Sequence, residues 1–187
     1  MRYITASLRA LLLMATALLL VSCGDNKADG VISQLSGETM GTFWHVRLAA
    51  PLDAPAQAAL QRRIDVALEA VNDSMSTYRD QSELMRFNHI TATTPQPVSD
   101  GMRRVVDKAL EISAQSDGVY DITVGPLVNL WGFGPVKRQD KPADSEIAEA
   151  LQHVGYGKLQ LTDAGLAKSD PQVFIDLSSI AKGYGVD

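Results

Sequence analysis

The residue pattern predicts an α+β or α/β body, because stretches of helical period alternate with short runs of strand period and no internal repeat or low-complexity tract interrupts them. An apolar fraction of 45% suits a globular chain. Thr42, Trp44, Val46 and Leu48 alternate with Phe43, His45 and Arg47, the period of a half-buried strand. Pro51 to Pro55 punctuates. Leu60, Ile64, Ala67, Leu68 and Val71 then recur at three- and four-residue steps, which places them on one stripe of a helix. Ser82 is positioned to cap a short helix carrying Leu84, Met85 and Phe87. After a loop at Pro95 and Pro97, Ser99 caps a further helix whose core face is Val105, Val106, Ala109 and Ile112, ended by Asp117-Gly118. Asp121 to Val124 reads as extended. Gly125-Pro126 and the run Trp131 to Pro135 read as a structured loop, too rich in Gly and Pro to continue an element. A helix over Ser145 to His153, a strand at Leu159 to Leu161, a turn at Asp163 to Gly165 and a buried strand Val173 to Leu177 follow. Ser178 to Asp187 opens as a helix.

The N-terminus carries a targeting signal. Arg2 and Arg9 precede an apolar run from Ala10 to Val21, and small residues precede Cys23. That run is shorter than the roughly 18 residues a membrane-spanning helix needs, so cleavage is the better reading. Leu20-Val21-Ser22-Cys23 resembles a lipobox, in which the cysteine is acylated and becomes the mature N-terminus. Residues 1–22 are therefore assigned to a lipoprotein signal peptide, residues 23–34 to the lipidated Cys23 and a tether, and residues 35–187 to the folded body. Several acyl chains give an anchoring that one cannot. Losing Arg2 and Arg9 with the signal moves the formal charge from −5 to −7 over 165 residues. An acidic chain without clustered Lys and Arg argues against nucleic acid as a partner. Cys23 is the sole cysteine, so no disulfide is available.

Few segments combine chemistry with spacing. Asp176-Leu177-Ser178-Ser179-Ile180-Ala181-Lys182-Gly183 puts an acid at a strand end and small residues at a helix start, where free N–H groups and Lys182 favour a phosphate. Asp176 could hold a ribose hydroxyl or a ring N–H, and helix capping explains the same residues equally well. Met40, beside Gly41, could line a flat ring or fill core space. Tyr78 could stack on a ring system or lie on the surface. Val119-Tyr120-Asp121 offers a turn with an acid, or a plain hairpin. Arg62-Arg63, Arg103-Arg104 and Lys137-Arg138 fit solvated faces and carry no assigned role. His45, His89 and His153 lack the paired spacing of a zinc site, and no Ser-His-Asp order stands out.

Taken in order, Gly37-Glu38-Thr39-Met40-Gly41-Thr42, Ser76-Thr77-Tyr78, Ser82 to Asn88, Asp121 to Gly134 and Asp176 to Tyr184 closely resemble the ApbE family of FAD:protein FMN transferases, over roughly Gly37 to Asp187. The resemblance implies an α+β fold with a mixed sheet and flanking helices, of which this chain is the N-terminal part. It implies that Met40, Tyr78, Val119, Tyr120, Asp121, Asp176 and Lys182 contact FAD, and that Ser179 offers its carbonyl to Mg²⁺. It further implies cleavage of the FAD pyrophosphate, release of AMP, and attachment of FMN to a Thr or Ser of an exported flavoprotein, on the periplasmic side of a bacterial membrane. Family members continue past this point into a second half that carries the remaining metal ligands. An FAD-binding or scavenging lipoprotein without transfer, and an inactive truncated fragment, are the competing expectations.

Overall fold

The computed structural model describes residues 33–187. Strand β1 (Ser33–Thr39) and strand β2 (Thr42–Leu48) pair as a two-stranded hairpin. Helices α1 (Ala54–Met75), α2 (Glu83–His89), α3 (Asp100–Gln115), α4 (Gly125–Leu130) and α5 (Asp144–Gln152) follow. A short 3₁₀ turn at Tyr156–Lys158 leads into β3 (Leu159–Thr162) and β4 (Gly165–Lys168), and the last element is α6 (Ala181–Val186). This is the expected α+β architecture, and among the described residues its strands pair as two hairpins. Two isolated bridges, antiparallel Gln96–Leu166 and parallel Val124–Phe174, supply the mixed strand directions. Two compact units can be distinguished among the described residues. One consists of residues 33–35 with His45–Gln57, and the other of Ser36–Trp44 with Ala58–Asp187.

In the first unit the Ser33 hydroxyl accepts the Leu52 N–H at 3.0 Å, and Asp53 accepts the Ala56 N–H at 2.8 Å, which starts α1. The second unit holds the main core. Met102, Val105, Val106 and Ala109 of α3 are buried with Leu84 and Phe87 of α2, Leu166 of β4, and Val173, Ile175 and Leu177. Burial of such side chains stabilises by about 1.5–3 kcal/mol each. The caps fall where the sequence places them: the Ser82 hydroxyl accepts the Met85 N–H at 3.0 Å, and the Ser99 hydroxyl accepts the Met102 N–H at 3.2 Å. Glu83 then joins the two caps, accepting the Ser99 N–H and, at 2.6 Å, its hydroxyl proton.

Five expectations are corrected. Gly125 to Leu130 forms α4 and not a loop, because Pro126 sits in the first turn, where its missing N–H has no intrahelical partner to lose. Asp121 to Val124 is a turn closed by the Asp121 side chain, with only Val124 bridged. Val173 to Leu177 is expected as a buried strand, but only Val173, Ile175 and Leu177 are buried, and Phe174 alone makes a bridge, since a side chain replaces the missing neighbour strand. Ile112 is only half-buried and Ser113 takes the buried position, while Ala67 of the α1 stripe is exposed. Of the basic pairs, Arg103 holds the β3–β4 turn through the Thr162 carbonyl at 2.7 Å, and Arg138 forms a two-pronged pair with Glu146.

Candidate functional site

The connection between β1 and β2 is two residues long, and both have positive φ, 51° at Met40 and 68° at Gly41. This matches the primed hairpin turn, which Asn-Gly usually fills. Glycine adopts it freely. A side chain bearing Cβ does so at a cost of about 1 kcal/mol, so Met40 sits where a plain turn would have chosen otherwise. Strain held in that way points to a use for the side chain. The Met40 methyl lies beside Gly185 of α6, where an added Cβ would meet it at 3.5 Å.

Met40 borders a cleft of about 730 Å³, within the range of small-molecule sites. One wall is the hairpin tip, Glu38 to Gly41. The second is α1 and the segment after it, including Glu69, Asn72, Met75, Tyr78 and Arg79. The third is Ser178 in the turn before α6, with Ala181 and Lys182 at its start. The Asn72 amide donates to the Thr39 hydroxyl at 2.9 Å, which fastens the hairpin tip to α1. Tyr78 is 61% exposed, and its hydroxyl donates to the Phe133 carbonyl at 3.1 Å, so the ring is held at one end while its faces stay open. Arg79 bridges Glu69 at 2.7 Å and Asp73 at 2.6 Å. That guanidinium holds the Glu69 carboxyl below its ordinary range. Lys182 is exposed and forms no ion pair among the described residues. It is therefore the cleft's uncommitted cation.

Three of the residues expected to touch a ligand, Met40, Tyr78 and Lys182, thus share one cleft although they come from three distant segments. Asp176 is outside its lining but two residues from Ser178, whose N–H its Oδ1 accepts at 2.7 Å. The Ser179 and Tyr120 hydroxyls are 3.0 Å apart, which joins the turn after Asp176 to the Val119–Asp121 turn. Val119 is 91% exposed. The Asp121 carboxylate is turned inward: Oδ1 accepts the Thr123 N–H and hydroxyl, and Oδ2 the Tyr156 N–H, each at 2.7 Å. A ligand at that turn would meet backbone, not the carboxylate. Cys23 lies outside the described residues.

The helix start offers an anion less than the sequence suggests. α6 has six residues, and the Ser178, Ile180 and Ala181 amides already donate to Asp176 and to the Leu177 carbonyl. The positive charge must come from the Lys182 side chain. For a hard divalent cation the Ser179 carbonyl is a suitable oxygen, accepting no backbone hydrogen bond among the described residues. No cluster of three acidic, His or Cys ligands accompanies it among those residues, so it fits as one ligand of a site and not as the site itself. Glu38, Thr39, Glu69, Asn72 and Arg79 are cleft residues that sequence reasoning missed. Glu38 and Thr39 directly precede Met40 in a motif already singled out, while for the others the signals are the adjacency of Arg79 to Tyr78 and the i, i+3 spacing of Glu69 and Asn72 on one face of α1.

Comparison with known proteins gives a consistent result. The family model described as "ApbE family" matches residues 40–187. The FAD:protein FMN transferase of Vibrio cholerae is 43% identical over 178 residues, 95% of this chain and 52% of the relative. That of Salmonella typhimurium is 42% identical over 183 residues, 93% of this chain and 52% of the relative. Among solved structures, the flavin transferase ApbE from Vibrio cholerae superposes with a TM-score of 0.78 at 45% identity, covering 83% of this chain and 50% of that one. The Pseudomonas stutzeri flavinyl transferase ApbE, in its apo form, gives 0.77 at 34% identity, covering 84% and 50%. The chain spans about half the length of the curated relatives it matches. With a family model covering most of its length and relatives above 40% identity, the chain belongs to the ApbE family.

Proposed function

We propose that this protein transfers FMN from FAD to a Thr or Ser of an exported flavoprotein, releasing AMP. The observation that carries this reading is the convergence of Met40, Tyr78 and Lys182 on one cleft. A thioether and an open phenol face suit a flat aromatic ring, and an uncommitted ammonium suits a diphosphate. Asp176, the Val119-Tyr120-Asp121 turn and the Tyr120–Ser179 contact complete the flavin side of the site in this proposal. In transfer, the acceptor hydroxyl attacks the FMN phosphorus and the pyrophosphate bond to AMP breaks. Lys182 would hold the phosphates in line, leaving position and electrostatics as the protein's main contribution. Mg²⁺, with the Ser179 carbonyl as one ligand, would supply neutralisation of phosphate charge.

The test is to incubate the complete protein with FAD, Mg²⁺ and an acceptor flavoprotein. Covalent flavin fluorescence on the acceptor and one AMP per flavin attached are expected, and chelating the metal should stop both. Stoichiometric FAD binding with neither product would replace transfer by storage or scavenging. Anchoring at Cys23 on the periplasmic side belongs to the same proposal, supported by the signal sequence; palmitate labelling that persists in Cys23→Ser would exclude it.

The strained turn gives a second expected result. Met40→Asn should raise stability by roughly 0.5–1 kcal/mol, by relieving positive φ, while weakening FAD binding through loss of the thioether. Urea unfolding and flavin fluorescence titration read the two effects separately. A gain in both would show that Met40 has no role at the ring.

A further inference from the structure

The segment 173–177 delivers Asp176 and the turn before Lys182, yet it lacks a neighbouring strand on one side. Asn88, near the end of α2, takes the place of one. Its Oδ1 accepts the Ile175 N–H at 2.8 Å and its Nδ2 donates to the Ile175 carbonyl at 2.9 Å, so a single amide side chain satisfies both backbone groups of one residue. Asn88 is buried, 6% exposed, and 87 residues from Ile175 in sequence. Behind it Lys168, the last residue of β4, is 1% exposed. Its ammonium donates to the Asn88 carbonyl at 2.9 Å and to the Val173 carbonyl at 3.1 Å, and stands 5.6 Å from the centre of the Phe87 ring. Burial pushes the Lys168 ammonium below its ordinary range. A cation in the core is costly, and here two carbonyls and a ring face offset that cost.

Opposite Asn88, the Asp176 N–H donates to the Ile122 carbonyl at 2.8 Å and Phe174 bridges to Val124. The segment is therefore gripped from both sides, and Ile175 and Asp176 are neighbours held by opposite partners. A one-residue slip would point Asp176 into the core and Ile175 outward, because side chains alternate along extended chain.

We propose that Asn88, backed by Lys168, is a positioning residue for the flavin cleft: it fixes the register of residues 173–177, and through them the placing of Asp176, Ser178 and Lys182. Neither side chain lines the cleft. The role rests on the flavin reading above, and its test separates the two.

FAD affinity is measured by flavin fluorescence in the wild type, Asn88→Ala, Lys168→Met and the core control Val106→Ala, with hydrogen exchange followed at Ile175 and thermal midpoints recorded. Asn88→Ala is expected to weaken FAD binding about tenfold and to raise exchange at Ile175, with the rest of the core still protected. Lys168→Met keeps the volume and should act in the same direction; it carries the test if Asn88→Ala does not fold. Val106→Ala should lower the midpoint without changing FAD affinity. Wild-type affinity retained in folded Asn88→Ala or Lys168→Met overturns the proposal and leaves the flavin reading intact. A wild type that binds no FAD overturns that reading, and this role with it.

Discussion

Gly165→Ala is expected to destabilise the second unit by about 4 kcal/mol, the largest single effect foreseen for this chain. Gly165 opens β4 with φ at 136°, a conformation closed to most side chains. An added Cβ would lie 2.0 Å from the Gln96 carbonyl oxygen and 2.5 Å from its carbon. These are backbone atoms and cannot swing aside. Moving them breaks the reciprocal pair in which the Gln96 N–H meets the Leu166 carbonyl at 2.8 Å and the Leu166 N–H meets the Gln96 carbonyl at 2.9 Å. Leu166 is 0% exposed, so displacement also disturbs the core. For a chain of this size the loss corresponds to roughly 10 °C in thermal midpoint. Gly157→Ala is the control, since a Cβ added there would meet nothing within 4 Å. A Gly165→Ala midpoint within a degree or two of wild type would show that the bridge yields without cost.

Lys182→Ala is expected to weaken FAD binding by tenfold or more while leaving the fold as stable as before, to within about 0.5 kcal/mol. The side chain is exposed, lines the cleft, and has no carboxylate partner among the described residues, so removing it orphans no buried charge. The other cleft cation differs in this respect, for Arg79 is occupied by Glu69 and Asp73. If a diphosphate is bound by Lys182, wild-type affinity should fall with added salt more steeply than that of the variant. Lys182→Arg should restore part of the affinity, because the charge is kept while its geometry changes. Equal affinity and equal salt dependence in wild type and Lys182→Ala would remove this residue from the site.

What the sequence makes legible follows from how local each signal is. The caps at Ser82 and Ser99 and the buried face of α3 depend on residues three or four apart, and they lie where the pattern puts them. β1 escapes detection because Ser-Gln-Leu-Ser-Gly-Glu-Thr has one large apolar residue, and its strand conformation comes from pairing with β2. α4 is hidden by Gly125 and Pro126, residues that break a helix interior but fit a helix start. Gly125 is also packed so closely that an added Cβ would lie 2.5 Å from the Phe174 carbonyl oxygen. The cleft is partly legible: ordered motifs point to Met40, Tyr78 and Lys182, whereas the inward turn of Asp121 depends on Tyr156, 35 residues away. The clamp by Asn88 spans a still longer separation, and no local pattern announces it.

The most direct measurement is a crystal structure of the complete protein with FAD. The ligand is expected in the cleft between the hairpin tip and the start of α6, a ring of FAD against Met40 and Tyr78 and a phosphate oxygen within hydrogen-bond distance of the Lys182 ammonium. Flavin bound elsewhere, with Met40, Tyr78 and Lys182 all untouched, would contradict the account.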